Sequence, residues 1–221
     1  VTITETATAT PLATRLREET SAAHENAERA DFLEALLGGN LSLNAWFGLL
    51  EQYQYIYGAL EAAVAAAPEN PAMVELFDLR LDRSSTIAAD LHALEMAHHV
   101  TSIGPQPSTL AYVERIRSCR FDEYRILAHH YTRYLGDLSG GQVMRTLLTR
   151  HYGLTSEEST FFAFDIGALP PYKKRYRECM NALPLTRAEA DRVVDEANIS
   201  FTYNQQIFAE LAEIYTPATA A

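Results

Sequence analysis

The sequence predicts an all-α fold. Apolar residues recur at three- and four-residue intervals in nearly every long segment, alternating β-branched runs of the strand type are missing, and proline and glycine break the chain at helix-length intervals. The 221 residues are 48% hydrophobic, enough for one medium-sized core without metal or disulfide staples. Residues 12–215 are expected to form that single domain, between a disordered extension at 1–11 and a flexible tail at 216–221.

Taken in order, Ala13, Leu16, Thr20, His24 and Ala27 make one helical stripe. A second helix, capped by Asn40 or Ser42, carries the wide apolar face of Trp46, Leu49, Leu50, Tyr53, Tyr57, Leu60 and Val64. Asn70-Pro71 ends this region, a helix follows near Ser85 to His98, and Gly104-Pro105-Gln106-Pro107 interrupts the chain before a short helix around Tyr112 to Ile116. From Asp122 to Tyr152 the pattern is helical, interrupted only by glycines. Pro170-Pro171 opens a basic helix that Pro184 ends. Thr186 with Glu189 is a capping box for a last long helix through Val193, Ala197, Phe201, Asn204, Phe208 and Leu211 toward Tyr215.

A formal net charge of -11 argues against nonspecific binding to nucleic acid or anionic membrane, which needs positive potential. Cys119 and Cys179 are far apart and form no CxxC pair, so they read as ordinary thiols in a reducing compartment. The first residues lack the basic and apolar regions of a secretory signal, and no later segment approaches a membrane span. A cytoplasmic protein without a membrane anchor is expected.

The most unusual local feature is Gly136-Asp137-Leu138-Ser139-Gly140-Gly141 inside a helical pattern. Each glycine there costs roughly 1 kcal/mol relative to alanine, and Gly136 and Gly140 share one face. That face serves either close approach of another helix or a ligand surface; the spacing fits both. Asp137 has two readings as well, an ion pair with Arg133 one turn earlier or a carboxylate beside a glycine-floored cavity. His24 interrupts an apolar stripe, with Glu28 one turn later able to accept from one imidazole nitrogen while the other stays free for a metal; most such histidines simply belong to the core or surface. Lys173, Lys174, Arg175 and Arg177 could anchor carboxylates or only solvate a helix face.

Together these pieces resemble the haem oxygenase family. The segment from Tyr131 to Gln142 (YTRYLGDLSGGQ) matches that family's distal-helix signature, and the likeness extends to Ala23-His24-Glu25-Asn26-Ala27-Glu28, to Tyr172 through Asn181, and to Phe201, Asn204 and Phe208. The resemblance implies haem b held between a proximal N-terminal helix and a glycine-kinked distal helix, with His24 as the proximal iron ligand and Glu28 beside it. It implies that Gly136, Gly140 and Gly141 admit the porphyrin, and that Asp137 orders distal water so that oxygen attacks a meso carbon, the alpha position. Arg17, Tyr131, Lys173 and Arg177 would contact the propionates, while Arg133, Tyr57, Phe201, Asn204 and Phe208 would line the distal wall or its waters. The implied reaction consumes haem with O2 and external electrons, delivered by a ferredoxin or flavoprotein reductase, to give biliverdin, ferrous iron and CO. Two other readings are a di-iron bundle, suggested by the single Glu95-Met96-Ala97-His98 motif, and a noncatalytic haem carrier, which has no need of Asp137.

Overall fold

The computed structural model describes residues 10–67 and 70–215; most of the expected 1–11 extension, and all of the 216–221 tail, lie outside the described residues. Among the described residues ten α-helices make up the fold: α1 (Leu12–Glu19), α2 (Ser21–Glu28), α3 (Asp31–Leu37), α4 (Leu43–Ala66), α5 (Ser84–Ala97), α6 (Pro107–Ser118), α7 (Glu123–His130), α8 (Gly136–Tyr152), α9 (Leu169–Asn181) and α10 (Arg187–Tyr215). No strand occurs among the described residues, and none of their helices is long and apolar enough to cross a membrane.

Two helices organise the core. In α4, Trp46, Leu49, Leu50, Ile56, Tyr57 and Leu60 are fully buried, as its apolar face predicts, and it packs against α5, α6, α7 and α10. The other is α10, which lies on α1, α2, α3, α6 and α7 and so joins the N-terminal helices to the middle of the chain. Its capping box is complete: the Glu189 carboxylate accepts from the Thr186 N–H and hydroxyl, and the Glu189 N–H donates to Thr186 Oγ1.

Several expected boundaries move. The first stripe divides at Thr20, whose hydroxyl donates to the Leu16 carbonyl at 2.6 Å and whose φ of -109° leaves the helical range. A short helix, α3, was not anticipated; with seven residues it shows too little periodicity to read, although Phe32 and Leu36 are fully buried. The helix after the proline-rich connection begins five residues before the expected Tyr112. Pro107 occupies its first turn, where a missing N–H costs nothing. The preceding loop is tied to α4 by Glu51, which accepts from the Ile103 and Gly104 N–H groups, and by Gln52, which bonds Gly104 O and Gln106 N.

The helical run from Asp122 to Tyr152 is continuous but not regular. Between α7 and α8 the chain makes a π-helical turn over Tyr131–Leu135, and Thr132, Arg133, Tyr134 and Leu135 are all buried there. Such an insertion widens the helix by one residue per turn and changes which side chains face inward downstream.

A knot of charge joins α6, α7 and α10. The buried Glu196 carboxylate takes Arg115 at 2.7 Å, Arg125 at 2.8 Å and His129 Nε2 at 3.0 Å, with Cys119 beside it. Cys119, His129 and Glu196 lie close enough together for a metal, but the carboxylate already meets two guanidinium groups and is filled as an ion-pair centre. Burial raises the Glu196 pKa, and the bonds from His129, Arg115 and Arg125 outweigh it, holding the carboxyl well below the usual glutamate range.

Glu196→Gln therefore leaves two cations short of a partner. We expect a loss of about 2–3 kcal/mol at pH 7 in urea unfolding. Because a depressed carboxylate contributes fully above its unfolded pKa and less as pH falls toward the folded one, the gap between wild type and variant narrows below the ordinary glutamate range. A gap that is constant down to pH 3 would show the ion pairs to be immaterial.

Candidate functional site

The glycine segment decides between its two readings by what lies opposite it. A Cβ built on Gly136 or Gly140 meets no atom within 4 Å, so no helix uses this face for close approach; both residues are exposed. Gly141 differs. Its Cβ would lie 3.1 Å from the Phe162 ring, so its bareness serves packing against the 160–162 turn.

Behind the open face lies a dense polar layer. Tyr57 donates a short hydrogen bond to Asp137 Oδ2, joining α4 to the first turn of α8. Burial lifts the Asp137 carboxyl to about 6 against the opposing influence of Arg133, the Tyr57 bond and Arg83. Direct pairing of Arg133 with Asp137 does not occur: among the described ion pairs within 4 Å, Arg133 has none. The π-turn sends its guanidinium inward instead, 4.2 Å from the Tyr53 ring centroid and 4.8 Å from that of Tyr57, with Nη1 donating to Asn204 Oδ1 at 2.6 Å.

From Asn204 the bonding continues away from the open face. Asn204 Nδ2 donates to Ser200 O, Ser200 Oγ lies 2.5 Å from Tyr112 OH, and Tyr112 OH lies 3.4 Å from His129 Nδ1. The ionised Glu196 only accepts, so His129 carries its proton on Nε2 and Nδ1 is an acceptor. Arg133 is thus pinned through α10 to the charge knot described above.

On the N-terminal side, His24 is exposed, its ring edge-on to Phe201 at 5.5 Å, and Nδ1 lies 3.4 Å from Glu28 Oε2. Nε2 is left for a ligand, as the spacing predicts. The alternatives are occupied. His129 is engaged as above, and His130 is buried with Nδ1 2.8 Å from Tyr176 OH, its pKa pushed down to about 3 chiefly by burial. His98 of the single Glu-x-x-His motif pairs with Glu158 at 2.7 Å, and no second such motif stands beside it, so the di-iron reading ends there.

The basic residues separate into two groups. Lys173 reaches Ser139 of α8 at 3.4 Å, and the positive charges of Arg177 and Arg17 both act on the Tyr131 phenol, whose pKa burial raises. Lys173 thus touches the helix that bears the open face, while Arg17 of α1 and Arg177 of α9 lie within electrostatic range of Tyr131 on the π-turn. Arg175 turns away into a two-point bridge with Glu75 at 2.7 Å, and Lys174 lies 3.7 Å from Glu178. Phe208 stacks on Phe32 of α3 at 6.2 Å and is buried, so it supports the wall from its core side. Tyr53, Tyr112, Tyr134, Arg83 and Ser200 complete this layer and were not singled out from sequence; on α4 and α6 the tyrosines are indistinguishable from ordinary core.

An imidazole with a free Nε2 on one side, a bare helix face on the other and cations at one end fit a flat, dianionic metallo-ring. Comparisons with known proteins agree. The family model described as "Heme oxygenase" matches residues 10–210. The heme oxygenase of Porphyra purpurea is 36% identical over 203 residues, 90% of this chain and 86% of that protein. The crystal structure of heme oxygenase-1 from the cyanobacterium Synechocystis in complex with heme superposes with a TM-score of 0.85 at 32% identity, covering 93% of this chain and 94% of that one. The heme oxygenase of Leptospira interrogans gives 0.82 at 29% identity, covering 91% and 100%.

Because nothing fills the space above Gly136 and Gly140, Gly136→Ala and Gly140→Ala should each stabilise the ligand-free protein by about 0.5–1 kcal/mol. Thermal unfolding without ligand checks this. Destabilisation by either would mean that the face is packed and not open.

Proposed function

The chain belongs to the heme oxygenase family and opens haem oxidatively to biliverdin, and from that premise we propose how its own residues do so. The observation that carries the reading is the pairing of the bare Gly136/Gly140 face with a half-buried carboxylate, Asp137, held from behind by Tyr57. Haem is both substrate and prosthetic group; bound, its iron supplies the site for O2 and for electrons from an external donor.

In this reading His24 Nε2 would hold the haem iron, and Glu28 beside Nδ1 orients the ring. Gly136 and Gly140 let the α8 backbone come against the porphyrin, where a side chain would hold it off. Asp137 accepts from distal water, and Tyr57 and the nearby positive charge of Arg133 keep that carboxylate in place. Water so held would place a proton donor over the open face, where the bound ring would present its meso edge. Arg17, Tyr131, Lys173 and Arg177 fix the propionates, and that single in-plane orientation selects the alpha edge. A carrier would gain nothing from a desolvated acid at this position.

The same cationic end is where we place the electron donor, a ferredoxin or flavoprotein reductase with an acidic docking face. Arg175 is committed to Glu75, so Lys174, Lys173 and Arg177 carry the attraction. Two unpaired thiols, Cys119 and Cys179, suit a cytoplasmic setting.

The test is an absorption time course with one equivalent of haem, O2, a reductant, and catalase to remove free peroxide. The Soret band decays, a biliverdin band grows and iron passes to a chelator. His24→Ala loses the axial-imidazole spectrum. Asp137→Ala keeps haem but forms biliverdin at least about tenfold more slowly, an effect on the order of 1.4 kcal/mol. A Soret band stable through repeated reduction and reoxidation would favour a carrier, and full biliverdin yield from Asp137→Ala would remove the water-ordering role.

A further inference from the structure

The Thr160–Phe162 segment is a single turn of 3-10 helix, in which the Phe162 N–H reaches Ser159 O at 3.4 Å and the Ala163 N–H reaches Thr160 O at 2.9 Å. A lone turn leaves its first N–H groups without a partner inside the turn. Here both go to one carboxylate. Asp90 of α5 accepts from the Thr160 N–H on Oδ1 and from the Phe161 N–H on Oδ2, each at 2.8 Å, and the Thr160 hydroxyl donates to Oδ1 as well. Asp90 is fully buried. Burial raises its pKa, and what opposes burial is the Thr160 hydroxyl, the two N–H groups of the turn and the charge of Arg145. Taking a carboxylate out of water is costly, and this one directs its bonds to a three-residue segment.

What the turn carries lies on its other side. The Phe161 and Ala163 carbonyls accept from Arg83 Nη1 at 3.2 and 2.6 Å, and the Phe162 carbonyl accepts from Gln142 Nε2 of α8 at 2.8 Å. Phe162 stacks on Trp46 with centroids 5.7 Å apart and fills the space that Gly141 leaves. Phe161, 1% exposed, sets its ring against Tyr57 at 5.7 Å and 75° and against Tyr53 at 5.9 Å and 41°. Those are the two tyrosines beneath Arg133, and Tyr57 is the one that donates to Asp137. The route from Asp90 to Asp137 is therefore short: two backbone N–H groups, one edge-to-face ring contact and one hydrogen bond. In a close-packed interior the fully buried Tyr57 ring cannot turn unless Phe161 moves.

We propose that Asp90 is a positioning residue for the reaction: by fixing the 160–162 turn it sets the angle at which Tyr57 meets Asp137, and so where that carboxylate stands beside the open face. Its influence passes through Phe161, because its hydrogen bonds go to the turn and not to the site. The effect on turnover rests on the haem-opening reading; the effect on the Tyr57 bond does not. A residue that only stabilised the fold would lower stability and leave that bond as it is. Asp90→Asn keeps the shape but replaces one acceptor oxygen by an NH2 group, which faces a donor of the turn whichever way the amide is set. The turn must then give, and Phe161 with it.

The readout independent of haem is the Tyr57 hydroxyl proton, which a carboxylate acceptor moves downfield and protects from exchange; in proton NMR of the haem-free protein at pH 8 it is the resonance that Tyr57→Phe removes. Asp90→Asn should shift it upfield. Phe161→Leu, which keeps the Asp90 bonds and removes the ring edge, should shift it too. In single-turnover haem oxidation both variants should form biliverdin about three- to fivefold more slowly with haem affinity unchanged, the mark of a misplaced group and not of lost binding. Glu189→Ala, which opens the capping box of α10, is the stability control and should leave resonance and rate at their wild-type values. If Asp90→Asn binds haem with wild-type resonance and rate, the positioning role is wrong; where that variant does not fold, the same result for Phe161→Leu decides. Equal slowing by Glu189→Ala would make Asp90 a general stabiliser and overturn the proposal. If wild type itself leaves haem intact, the haem-opening reading fails, while the resonance still decides whether Asp90 places Tyr57.

Discussion

A guanidinium buried to 6% exposure is the constraint that orders the rest of the site. Arg133 cannot shed its charge, so the interior must answer it at every side. Two tyrosine faces lie under it, Asn204 accepts from it, and Asp137 lies near enough to be steadied by it. Asn204 in turn is held by Ser200, then Tyr112, His129 and Glu196, and the chain ends in two more arginines that reach solvent. A charge placed next to the reacting face is thus anchored through four helices, which explains why the longest helix passes beside both the π-turn and the N-terminal pair.

Much of this was legible in the sequence because it depends on local chemistry. The paired apolar faces of α4 and α10, the Thr186/Glu189 box, and the His24/Glu28 spacing are set by residues three or four apart, and each stands where that spacing puts it. The glycines were recognisable as costly, yet only the structure separates Gly136 and Gly140, which face open space, from Gly141, which faces Phe162. The π-turn escaped because a one-residue widening leaves composition and apolar spacing nearly unchanged; its result, Arg133 directed to Asn204 and not to Asp137, depends on a partner 71 residues away. Arg175 escaped for the same reason, since a basic run does not reveal that Glu75 lies opposite one member of it.

The bare stretch of α8 also bears on how long a molecule of this protein lasts. Two exposed helical glycines with nothing above them leave one side of the helix uncovered, and segments with so little packing open before the core does. A flat ligand seated there covers that side and adds stability that grows with its free concentration. Occupied molecules are then the durable ones and empty molecules the ones that proteases cut, so abundance follows the supply of the compound the protein destroys. Each turnover returns the chain to its more vulnerable form, because the opened ring is no longer the rigid disc that the glycine face admits. Persistence is thereby coupled to workload.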